Sequence, residues 1–205
     1  VLSKAKEAAR STVCRATLDN LATALSIYHN ENDNRGIYQA NKGDYWLTLL
    51  APYLGETKHG KEKDEEDMDQ EVMGIVDCPS TKEPLEPFPE SCWGTASNRW
   101  RFRFTSRENY AAEGSYGLNA WVGGWDLSHW VPKPLHGNAY RGFVPGRADI
   151  PSFADSIWIG FIPFETDVPP ESLEYGKGGA ANLGLSRICI SRHGESINMA
   201  FLDNH

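Results

Sequence analysis

The chain is short of cations, of paired thiols and of long apolar runs, and each shortage excludes a class of function. Lys and Arg number 20 against 28 Asp and Glu, a formal net charge of -8. Nucleic-acid binding draws its affinity from clustered Lys and Arg on phosphates, so no nucleic-acid partner is expected. Four cysteines, Cys14, Cys78, Cys92 and Cys189, lie far apart without a Cys-x-x-Cys pair, which argues against a zinc site of spaced thiolate pairs. No signal peptide is visible, and no run reaches the roughly 18 apolar residues that a membrane-crossing helix needs. Neither a Gly-x-Ser-x-Gly elbow nor a phosphate-cradling glycine loop occurs. Gly176-Lys177-Gly178-Gly179 lacks the following Ser or Thr and reads as a loop.

What is present describes a folded α+β chain. Hydrophobic residues make up 40% of 205 residues and charged residues 23%, the balance of one ordinary globular domain, residues 1–205. Leu2, Ala5, Ala9, Val13, Ala16, Leu21, Leu25 and Tyr28 recur at largely three- and four-residue spacing, which predicts an amphipathic helix over 1–31. The polar run Asn30 to Arg35 closing on Gly36 reads as its stop. A shorter helix is expected from Tyr45 to Leu54, capped by Asp44 and limited by Pro52. Seven Trp, 19 Gly and 12 Pro, concentrated after Cys78, predict short strands and long ordered loops. Strands are expected at Trp100–Thr105, Ser115–Trp121 and Ile157–Phe161, and a hairpin whose arms, Arg187–Ile190 and Ile197–Leu202, flank His193-Gly194-Glu195-Ser196. Helix and strands are segregated along the chain, as in α+β folds.

Candidate chemistry is sparse. His193, Asp203 and His205 are metal-ligand types, but a turn at Gly194-Glu195 sets His193 beside it and Asp203 far up the second arm. A structural turn or hydrogen-bonding role is therefore expected, and no metal. Asp155, Glu165 and Asp167 lie near Trp158, the residue types of glycosidases, without a constraining spacing. Asp64 to Asp69 is a carboxylate run that reads as a solvated loop; calcium is its one candidate cofactor, in a site without the glycine of an EF-hand. Trp121, Trp125 and Trp130 are candidate ligand-contact aromatics, able to stack on sugars or to pin a loop. If the chain is exported, its four cysteines permit two disulfides in three connectivities.

Two segments together resemble a known family. Leu2 to Arg10, then Cys14, Asn20-Leu21, Ala24-Leu25 and Tyr28, resemble the helix that follows the membrane segment in type II secretion pseudopilins and type IV pilin-like proteins. His193, nine residues and Asp203 resemble the His-x9-Asp-Gly signature of a large pilin-like family of planctomycete and verrucomicrobial type, with Asn204 where the family has Gly. Cys78-Pro79, Ser115 to Asn119, Pro151 to Trp158 and Thr166 to Pro170 are similar to that family as well. The resemblance implies a pilin-like fold, a helix stem over 1–31 and a globular head over 32–205. It implies a non-catalytic subunit of a pseudopilus or pilus-like filament, its partners other such subunits and the secretion machinery. The inner-membrane anchor would be an apolar segment ahead of Val1, with the head in the periplasm or on an extracellular filament. A Cys14–Cys78 disulfide and a structural role for His193, Asp203 and Asn204 are implied too. The alternative is an exported carbohydrate- or solute-binding module on a pilin-like anchor.

Overall fold

The computed structural model describes residues 2–33, 37, 45–54, 76–86, 90–103, 111–123, 147–175, 183–188 and 191–203. The first helix, α1, spans Leu2–Glu31. It holds no Gly or Pro and is rich in Ala, the strongest helix former. Its hydroxyls turn back on the helix: Thr12, Thr17 and Ser26 donate to the carbonyls of Ala8, Val13 and Ala22. Asn32 ends it, donating backbone N–H and side-chain amide to Tyr28 O, and Asp33 takes the left-handed conformation at φ 57°. Gly36 and Asp44 lie outside the described residues.

The second helix is shorter than its sequence pattern. α2 covers Trp46–Leu50 and tightens into a 3-10 turn at Ala51–Leu54, around Pro52. β1 (Trp100–Arg103) pairs antiparallel with β2 (Ala111–Gly114) as a two-stranded ribbon. The main sheet contains β3 (Tyr116–Asn119), β4 (Pro151–Asp155), β5 (Gly160–Phe161) and β6 (Met199–Phe201) in the order β5-β3-β4-β6. β3 is antiparallel to β4, with Tyr116 opposite Asp155 and Leu118 opposite Phe153. β4 is antiparallel to β6, and β5 runs parallel to β3. A single helical turn, α3 (Ala120–Gly123), follows β3. The fold is α+β, one long amino-terminal helix with mainly antiparallel sheets. None of the described helices is long and apolar enough to cross a membrane.

Three strand expectations are corrected. The expected strand Ser115–Trp121 ends at Asn119, and Ala120 and Trp121 belong to the helical turn α3. The expected strand Ile157–Phe161 pairs only at Gly160–Phe161, because Ser156 Oγ accepts the N–H of Trp158 and bends the chain before it. The expected hairpin keeps its turn but not its arms. Leu185–Arg187 is a 3-10 turn, Ser191 N–H donates to Leu173 O, and β6 takes β4 as its partner.

The core forms where α1 crosses the sheet. Leu18, Leu21 and Leu25 pack with Trp46, Leu50, Trp100, Leu118, Phe153 and Ala200, all essentially inaccessible to solvent. Burying each leucine contributes about 1.5–3 kcal/mol. Trp46 meets Phe153 edge-on and donates its indole N–H to Ile159 O at 2.8 Å, so it packs without an orphaned donor.

The buried side of α1 differs from the expected stripe. Cys14, Leu18, Leu21, Ala22, Leu25 and His29 face the head. Leu2, Ala5, Ala9, Val13 and Ala16 are exposed, Leu2 at 85% and Val13 at 53%. At 3.6 residues per turn the two sets lie roughly 160° apart around the helix axis. The single periodic series in the sequence thus joins two faces, with a half-turn slip between Ala16 and Leu21. The amino-terminal half meets the head through Glu7, Ser11 and Cys14 instead.

Candidate functional site

The sequence signature centred on His193 folds into the junction between α1 and the sheet. Gly194 (φ 61°) and Glu195 (φ 68°) are both left-handed, the pair required by a type I′ turn. His193 N–H donates to Ser196 O, and Ser196 Oγ donates to His193 O at 2.6 Å, which locks the turn. For Glu195 that conformation costs about 1–2 kcal/mol, so the surrounding contacts hold it there.

The turn aims the imidazole inward, its side chain 2% exposed. Nδ1 lies 3.1 Å from Glu7 Oε1 on α1. Nε2 lies 3.5 Å from Cys78 Sγ and 3.5 Å from Asp155 Oδ2 at the end of β4. Cys78 is bonded to Cys14, a disulfide that ties the middle of α1 to the head across 64 residues of sequence. Glu7 also accepts from Ser80 Oγ at 2.8 Å. Partial burial pushes the Glu7 carboxyl up, but the hydrogen bonds of Ser80 and His193 and the charges of His193 and Arg10 outweigh it and hold the group below its usual range.

Behind His193 sits Arg192, its side chain fully buried. Nε donates to Ala96 O, one terminal nitrogen to Ser115 O and Asp155 Oδ1, and the other to Thr95 O and Ser156 O. Asp155 Oδ2 accepts the backbone N–H of Asn198 at 2.7 Å. A buried guanidinium is tolerable only when its donors are satisfied and its charge is matched, and both conditions hold here. Arg192 and Asp155 thus fasten the loop at Thr95-Ala96, the end of β4 and the His193 segment to one another.

The candidate residues fall into three groups. Cys14, Cys78, His193 and Asp155 converge, although Asp155 and His193 had no spacing to connect them. Asp203 is exposed in the turn after β6, and Asp167 is elsewhere, its Oδ2 accepting the N–H groups of Phe164 and Leu185. Glu165 is exposed, and Cys92 is a buried free thiol. Trp121 donates its indole N–H to Pro163 O and meets Phe164 edge-on, a ring fixed to its own chain. Asn204, His205, Cys189, Trp125, Trp130, the Asp64–Asp69 run and Gly176–Gly179 lie outside the described residues.

Sequence reading did not single out Glu7 or Arg192. Glu7 stands two turns before Cys14 on the same side of α1, a visible spacing; Arg192 carries no signal beyond its place next to His193.

Chemically the junction is a latch. A covalent bond and a histidine–carboxylate contact join helix to head, and a buried Arg–Asp pair anchors the His193 segment behind them. The side chains of His193, Asp155 and Arg192 are 0–2% exposed in the disulfide-bonded chain. Comparison with family models, with curated proteins and with solved structures finds no match to this chain.

Proposed function

We propose that the chain is the stem and head of a pilin-like structural subunit that assembles into a filament of the pseudopilus type. The observation that carries this reading is the division of α1 into two opposite faces. One face is spent on the head through Cys14, Leu18, Leu21 and Leu25. The other presents Leu2, Ala5, Ala9, Val13 and Ala16 to solvent, small or apolar side chains in a line along the helix. Small residues in line let two helices approach closely, which is what a helix-cored filament requires. The junction supports the same reading, because a subunit pulled by its helix needs that helix fixed to its head.

The test is processing and assembly of the full gene product. Produced with and without a prepilin peptidase, the product shortens only when the peptidase is present, and Val13→Glu lowers sheared-filament yield without unfolding the isolated head. A gene product that the peptidase leaves unchanged refutes the proposal.

A further inference from the structure

The disulfide, His193 and Asp155 have a second use that does not depend on the filament reading. The geometry points to a zinc site at the helix–head junction that forms when the Cys14–Cys78 disulfide is reduced, with Cys14, Cys78 and His193 as ligands, a water in the fourth position and the Asp155 carboxylate beside His193. One donor atom from each of Cys14, Cys78 and His193 lies within 4.8 Å of the others, and all three residues are buried.

The Cys78–His193 distance matches tetrahedral coordination. Zinc bonds of about 2.3 Å to sulfur and about 2.0–2.1 Å to nitrogen or oxygen set S···N edges near 3.6 Å and N···O edges near 3.4 Å. Cys78 Sγ to His193 Nε2 is 3.5 Å, an S···N edge of that length, and the Asp155 carboxylate lies 3.5 Å from the same nitrogen as a neighbouring charge. The sulfurs separate to about 3.8 Å, the S···S edge of the same tetrahedron. Glu7 supplies the outer partner that zinc histidines use. Its Oε1 accepts from Nδ1, which fixes the tautomer and leaves the Nε2 lone pair for the metal. Charge balances too: two thiolates and Asp155 carry three negative charges against Arg192 and a divalent cation, so a neutral group is buried.

The chemistry closes without an unnamed reagent. A dithiol or phosphine reductant delivers two electrons to the disulfide, and two protons make the two thiols. Zinc then displaces both protons as it binds the thiolates. Helix and head stay joined either way, by a sulfur–sulfur bond when oxidised and through the ion when reduced.

The experiment uses the purified chain, oxidised or reduced with a phosphine and cleared of metal, titrated with Zn2+ against a chromophoric chelator. Expected are one zinc per reduced chain, none in the oxidised chain, and release of two protons on binding. His193→Gln and Cys14→Ser abolish tight binding, and Glu7→Gln, which keeps every ligand, weakens it about 10–100-fold. Should the reduced chain unfold, zinc restores its helical circular dichroism. Reduced protein that takes up no zinc or is not refolded by it, or variants that hold zinc as tightly as the unaltered chain, overturn the proposal.

Discussion

Replacing Cys14 and Cys78 together by Ala isolates the contribution of the covalent tie between α1 and the head. The bond closes a sequence separation of 64 residues. Chain-entropy reasoning for a loop of that length gives about 4 kcal/mol of stabilisation, chiefly through restriction of the unfolded chain. The native contacts of Leu18, Leu21 and Leu25 survive the change, so the folded variant keeps its helix docked. For a chain of this size each kcal/mol moves Tm by about 2–4 °C, so the midpoint drops by about 8–16 °C. Urea unfolding followed by Trp fluorescence and far-ultraviolet circular dichroism measures the effect, and the steeper denaturant slope of a more expanded unfolded state accompanies it. A loss below about 1 kcal/mol refutes the loop-closure reasoning. Four titratable thiols in unreduced protein refute the bond itself.

Other perturbations test other contacts. His29 is fully buried and burial pushes its pKa down to about 4, so the unfolded chain takes the proton first. Its contribution is intact above pH 6.5 and is lost as pH falls toward about 4, at most about 3 kcal/mol, and His29→Leu flattens that part of the stability–pH curve. Arg192→Met leaves Asp155 buried without its cation and costs about 3–5 kcal/mol, read from urea midpoints. Gly117→Ala places a methyl 2.7 Å from Trp158 O and 2.8 Å from Ser156 Oγ, and destabilises by about 1–3 kcal/mol in the same assay. Val13→Glu, on the exposed face of α1, changes the stability of the isolated chain by less than about 0.5 kcal/mol.

How much of this was legible follows from the range of the forces involved. α1 was readable nearly to the residue, because Ala content and the lack of Gly and Pro act locally. Strands at Trp100 and Tyr116 were readable for the same reason. Periodicity gave the wrong face for the first half of α1, because Ala carries little hydrophobic signal and the residues that meet the head there are Glu7, Ser11 and Cys14. The arms around Gly194 looked like a hairpin, yet β4 was the better partner for β6, and strand pairing is decided by tertiary neighbours. His193 stood out in the sequence as the residue beside the turn. Its partner Glu7 is 186 residues away, and nothing in local pattern connects them.

Cys14 stands almost midway along α1, and that position decides how load would travel. Tension applied at the Leu2 end arrives first at the sulfur bond and at Glu7, and only then at Leu18 and the leucines beyond. The strongest link bears the pull, while the soft apolar packing that keeps the head folded stays slack.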